Sequence, residues 1–317
     1  MVFISYLIGI LSGVAATAQA SFNGEIRRRC RSPYITAAIN FVVALSVIAV
    51  ALLIAERSLA LPVSEISRYP LWIWTGGVCG VVIVMTGIIC LPVLGSANNM
   101  MLLCFGQIMG GLIIDHFGLF DAPVTGMSLM RAAGAVLGTA GIVLISAERG
   151  GRAGDDEKDR SKNAMLFILL DIAAGFVAAM QVAVNGTLAV ATGSPVRATF
   201  VSMCGALITT SLIICILNLL KGRASIYDGN ILPKEPVKPS PFLLSGGLMA
   251  LVVVGGNAIT GPVLGTGVVT MMNLFGMMAS GLVIDATGFL GIEVKPVTMR
   301  KMAGMGLMLA GTALISL

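Results

Sequence analysis

Apolar residues in this chain run in long unbroken stretches, and ten can be delimited: roughly 2–22, 33–55, 71–94, 99–116, 127–147, 164–188, 196–220, 241–264, 267–285 and 298–317. A helix rising ~1.5 Å per residue needs about 20 apolar residues to cross a ~30 Å hydrocarbon core. Each stretch therefore predicts a membrane-spanning helix. A lipid-facing barrel would alternate polar and apolar positions instead. The expected class is an all-α membrane protein with ten transmembrane helices. Two polar segments stand out between the stretches. Residues 148–162 are charged and Gly-rich, with no periodicity, as in a solvated connector. Residues 221–240 are held extended by Pro233, Pro236, Pro239 and Pro241.

Composition agrees. Hydrophobic residues make up 57% and charged residues 11% of the 317, against about 25% charged in soluble domains. The 39 glycines and 19 methionines suit closely packed membrane helices. Ala18-Gln19-Ala20 resembles a signal-peptide cleavage site, but residues 1–17 carry no Lys or Arg, so a retained first helix is expected. Five of the six cysteines fall within hydrophobic stretches and Cys30 in a basic loop. None forms a CxxC pair or a Cys/His cluster, so neither a metal nor another cofactor is expected.

The chain repeats itself. Gly13, Gln19, Asn23 and Gly24 recur 162 residues later as Gly175, Gln181, Asn185 and Gly186, and Ser32-Pro33 as Ser194-Pro195. At an offset of 170, Pro92-Val93-Leu94-Gly95 recurs as Pro262-Val263-Leu264-Gly265, and Gly111-Leu112-Ile113-Ile114-Asp115 as Gly281-Leu282-Val283-Ile284-Asp285. Arg131, Gly134 and Gly141 match Lys301, Gly304 and Gly311. The expected organisation is a first five-helix unit over 1–147, a linker over 148–162 and a second unit over 163–317. Five helices per unit place the two copies in opposite orientations. Of the 20 Lys and Arg, 16 then fall in loops of one side and only Arg57, Arg68, Arg131 and Arg197 on the other. By the positive-inside rule the first side is cytoplasmic and both termini are periplasmic.

Gln-x-x-x-Asn-Gly at the end of one helix and Ser-Pro at the start of the next resemble the YdcZ-type family of the drug/metabolite transporter superfamily, as a fusion of two five-helix units. The resemblance implies a bacterial cytoplasmic-membrane transporter with a cavity between its halves and a small metabolite or drug as substrate. Small multidrug resistance relatives carry a membrane-embedded Glu in their first helix. No Glu occurs within any span here, which argues against their proton-coupled export of cationic drugs.

Asp171 is the most unusual embedded residue, about seven positions into the sixth span and equivalent to Gly9. A carboxylate there is costly unless it faces a polar cavity, so it is read as a proton or cation site or as a hydrogen-bonded structural acid. Gln19 and Asn23 share one helix face, as do Gln181 and Asn185. They could bind substrate or a neighbouring helix, although Asn-Gly is also a helix C-terminal signal. Asn99, Asn257 and Asn273 lie beside the paired Pro92 and Gly261-Pro262 interruptions, where broken helices form transport sites. Asp115 and Asp285 end the fourth and ninth spans. They are read as solvated helix-end carboxylates or as gates pairing with Arg131 or Lys301.

The function these features predict is secondary active transport by alternating access, with a proton or cation as a candidate coupling partner. A channel, a structural membrane protein and a membrane-embedded enzyme are the alternatives. One His and one well-embedded Asp do not supply the clustered acids and bases an enzyme would need, and no charged ring marks a channel filter. The basic loops follow from topology and contact with lipid headgroups, so no nucleic-acid partner is expected. Small-xxx-small spacings such as Gly9/Gly13 and Gly106/Gly110 suit a monomer or a homodimer.

Overall fold

The computed structural model describes residues 2–59, 68–146, 164–227, 241–287 and 298–316. The 148–162 linker lies outside them. Apart from short 3-10 turns, the described residues form nine helices: α1 Val2–Cys30, α2 Pro33–Glu56, α3 Gly76–Phe117, α4 Leu129–Ser146, α5 Ala164–Thr192, α6 Pro195–Lys221, α7 Ser245–Leu264, α8 Thr266–Thr287 and α9 Met299–Ser316. Six are each long and apolar enough to cross a membrane: α1, α2, α5, α6, α7 and α8. Large apolar side chains such as Phe3, Ile54, Val136 and Leu219 are exposed on the outer surface, as expected where lipid rather than water is the solvent.

The Ser-Pro motifs start helices for a stereochemical reason. Ser32 and Ser194 are extended N-caps whose Oγ atoms accept from the N–H groups of Ile35 and Arg197, and a proline occupies the first helical turn in both. The preceding residues, Arg31 and Gly193, are equivalent and both left-handed, with φ of 51° and 65°. The Asn-Gly pairs behave otherwise than the sequence suggests. α1 and α5 continue through Asn23-Gly24 and Asn185-Gly186 to Cys30 and Thr192. Each asparagine side chain bonds to the neighbouring helix instead: Asn40 Nδ2 donates to Asn23 Oδ1 (2.6 Å), and Ser202 Oγ donates to Asn185 Oδ1 (2.7 Å).

The 71–94 and 99–116 stretches share one element, α3, of 42 residues. Drawn as a straight rod it would be ~63 Å long, about twice the hydrocarbon thickness. Its contacts are not those of a rod. On one arm Gly76 lies beside Asn185, Gly80 beside Gln181 and Cys90 beside Phe167, so α5 is read backwards. On the other arm Gly106 lies beside Ile172, Gly110 beside Phe176, and Ile114 packs with Ala183, so α5 is read forwards. The chain direction therefore reverses between Cys90 and Gly106. α7 and α8 pass α1 in the same two directions, Gly246 beside Asn23 and Gly256 beside Ser12, then Met272 beside Gly9 and Met277 hydrogen-bonded to Thr17. The break between α7 and α8 falls at Gly265 (φ 79°), three residues past Pro262, which stays inside α7.

Four glycines set the closest helix crossings. A Cβ on Gly13 would lie 2.0 Å from Asn273 O, and one on Gly276 2.1 Å from Ile10 O. The equivalents repeat this in the other half: Gly175 would meet Leu103 O at 2.1 Å and Gly106 would meet Ile172 O at 2.1 Å. Such approaches need residues without side chains.

Candidate functional site

A cavity of about 260 Å³ lies where the two halves meet, walled by α1, α2, both arms of α3, α5, α6, α7 and α8. Many of its walls are repeat equivalents: Gln19 and Gln181, Phe41 and Met203, Ile83 and Val253, Val84 and Val254. Two pairs differ in chemistry. Asn273 stands where the first half has Leu103, and Gln107 where the second half has Met277. Asn273 Nδ2 donates to Asn257 Oδ1 (2.8 Å), Gln181 Nε2 donates to Gly76 O (2.8 Å), and Ser12 Oγ bonds Ile8 O and Val252 O (2.9 and 3.2 Å). The glycine crossings place the residues that carry these groups, since Gly13 packs on the backbone carbonyl of Asn273 and Gly175 beside the backbone nitrogen of Gln107.

Among the described residues the cavity runs on into a neighbouring space. This second space of about 290 Å³, bounded by Arg27, Asn23 and Asn40, shares Ala16, Gln19, Ala20, Phe41, Ile83 and Val84 with the cavity. On the opposite side a space of about 390 Å³ around Tyr69, Asp121 and Thr187 shares no wall with the cavity. The Gln181–Gly76 and Ser202–Asn185 bonds and the buried cluster of Ile73, Leu188, Ala198 and Ala258 lie on that side. Equivalent residues therefore differ in exposure: Gln19 and Asn23 are half-buried, whereas Gln181 is 9% and Asn185 0% exposed.

Asp115 departs from the picture of a solvated helix-end acid. It is fully buried, accepting at Oδ1 from Thr266 N (2.7 Å) and at Oδ2 from Gly267 N and Arg131 Nη2 (2.9 Å each). Arg131 is 3% exposed and also donates to Ile315 O and Thr125 O. A carboxylate of the first half thus holds the positive N-terminal end of α8 in the second half. A solvated acid was the simplest reading of a helix-end position, yet the exposed amides of another helix start and a buried guanidinium converge there. The signal was an acid and a base kept at equivalent places in both copies, Asp115 with Arg131 and Asp285 with Lys301.

The remaining candidates scatter. Gln19, Gln181, Asn257 and Asn273 line the cavity, and Asn23 lines the space that continues it. Asn185 belongs to the closed side. Asp171 is buried on α5 but is not among the cavity's lining residues. The side chains of Asn99 and Asp285 lie outside the described residues. Gln107, which has no proline break at its own position, joins the cavity through the packing of α3 on α5. Among the described residues no group of three His, Cys, Asp or Glu could hold a metal.

The family model described as "Putative inner membrane exporter, YdcZ" matches residues 4–144 and again 166–314. A search of curated proteins finds no match. A solved structure, described only as a crystal structure of protein, superposes with a TM-score of 0.67 over 98% of this chain and 94% of its own, at 16% identity. At that identity the likeness shows a shared fold alone. Two successive matches to one family model, together spanning nearly all of the sequence, make this chain a member of the YdcZ family, a multi-pass inner-membrane protein formed as a tandem fusion of two family units.

Proposed function

We propose that the chain is a secondary transporter moving a small molecule across the cytoplasmic membrane by alternating access. Ten crossings form two inverted five-helix halves, 1–147 and 163–317, joined by 148–162. The basic loops support a cytoplasmic Arg27 side and periplasmic termini, and the family's description supports export. One observation carries the reading: repeat-equivalent residues face one cavity but differ in exposure. Two halves of similar sequence in opposite orientations can exchange these conformations, which moves the opening from one side to the other. Gln19, Gln181, Asn257 and Asn273 are the proposed substrate contacts, with Asn23 and Asn185 at the two alternating entrances. Asp115 is a proposed latch on the periplasmic side.

Labelling tests the exchange. With the six native cysteines replaced, Asn23→Cys should react with a membrane-impermeant maleimide from the Arg27 side, while Asn185→Cys stays protected. Conditions that expose Asn185→Cys should protect Asn23→Cys. Reaction of both at once, from opposite sides, would indicate an open channel and sink the proposal. Because Asp171 lies off the cavity, Asp171→Asn should retain saturable flux in proteoliposomes. Abolished flux, with the protein folded, would restore it as a coupling acid.

A further inference from the structure

The cavity wall holds a chemical restriction. Ser12, Gln19, Gln107, Gln181, Asn257 and Asn273 are its polar groups, and among the described residues no Asp, Glu, Lys, Arg or His lines it. Asn273 is 8% exposed, and its Oδ1 is buried with no hydrogen-bond partner after its amide N–H is committed to Asn257. That oxygen is itself sealed from the cavity, so the acceptors the wall offers a bound donor are the side-chain amides of Gln19 and Gln107. The other surfaces are apolar: Phe41, Met203, Met277 and aliphatic side chains.

We propose that this cavity selects an uncharged solute, one with at least one N–H or O–H donor and a compact apolar portion, and disfavours organic cations and carboxylates. The inference rests on the transporter reading for its purpose but not for its chemistry. An ion entering the cavity would shed hydration and meet only amides and a hydroxyl, with no opposite charge to replace what it lost. A neutral amide or alcohol replaces its water bonds with those of the wall. At about 260 Å³ the space is near the lower end of small-molecule sites, which fits a compact solute. Transport of such a solute carries no net charge unless an ion accompanies it.

The repeat supplies variants the fold should accept. Asn273→Leu installs what the first half carries at Leu103, and Gln107→Met what the second half carries at Met277. The probes are matched sets of one shape and three charges: nicotinamide, nicotinate and 1-methylnicotinamide, together with short aliphatic amides and their corresponding acids and amines. Melting shifts of the full chain in nanodiscs read binding, and counterflow in proteoliposomes reads transport. We expect neutral members to bind at least about tenfold better than their charged counterparts, with Asn273→Leu weakening the neutral members without admitting the charged ones. Asn273→Asp should reverse the preference toward the cations. Equal or stronger binding of charged members overturns the inference, and their saturable flux would leave the transporter intact. Binding of neutral members without flux of any probe supports the site and removes the transporter. No dose-dependent shift from any neutral member overturns the inference.

Discussion

Gly13→Leu and Gly175→Leu should yield no monodisperse protein on detergent size-exclusion chromatography, whereas Gly24→Ala and Gly306→Ala should elute and melt like the parent or slightly above it. The difference follows from what each new Cβ meets. At Gly13 and Gly175 it would fall 2.0 and 2.1 Å from the carbonyl oxygens of Asn273 and Leu103. Those atoms are helix backbone and cannot rotate away, so the helices themselves must separate. Overpacking that flexible side chains absorb costs about 1–3 kcal/mol, and moving two helices against the rest of the bundle exceeds that. At Gly24 and Gly306 nothing lies within 4 Å of the new methyl, and Ala gains up to about 1 kcal/mol in helix propensity. Gly13→Ala should lie between, folded but with a lower melting temperature. It should also weaken ligand binding, because the carbonyl it displaces belongs to the cavity residue Asn273. Normal melting of Gly13→Leu would refute the crossing as described.

The second large effect is expected at Asp115. Asp115→Ala strands the buried guanidinium of Arg131 and uncaps α8, and removing one partner of a buried ion pair typically costs about 3–5 kcal/mol. Asp115→Asn keeps the shape and an acceptor but loses the charge, so it should be milder. The diagnostic result is a double-mutant cycle followed by denaturant unfolding in mixed micelles. Arg131→Met alone leaves an uncompensated carboxylate, softened by the Thr266 and Gly267 amides and the α8 dipole. The double variant Asp115→Asn, Arg131→Met should therefore be less destabilised than the sum of the two single changes. Additive effects would mean the two groups do not sense each other, contrary to their 2.9 Å contact.

How much of this was legible beforehand depends on dimension. The spans, the duplication and the Ser-Pro starts are local or periodic features, and they can be read along the chain. Ser32 and Ser194 cap their helices wherever those helices sit. The equivalence of Asp115 with Asp285 and of Arg131 with Lys301 was also visible. Their burial was not, because a helix-end acid looks the same whether water or another helix faces it. Asn-Gly misled for a related reason: the local signal for ending a helix was outweighed by side-chain bonds to Asn40 and Ser202 on the next helix.

By itself the sequence determined that the protein is helical, membrane-embedded and duplicated, because hydrophobic length and residue spacing are one-dimensional quantities. Which faces meet was decided only by the tertiary structure. Helices apolar all round carry almost no rotational signal, so neither the exclusion of Asp171 from the cavity nor the entry of Gln107 could be read from periodicity. The glycine crossings set those rotations, and they bring Gln19, Gln181, Asn257 and Asn273 to one space while leaving Asp171 against its neighbours.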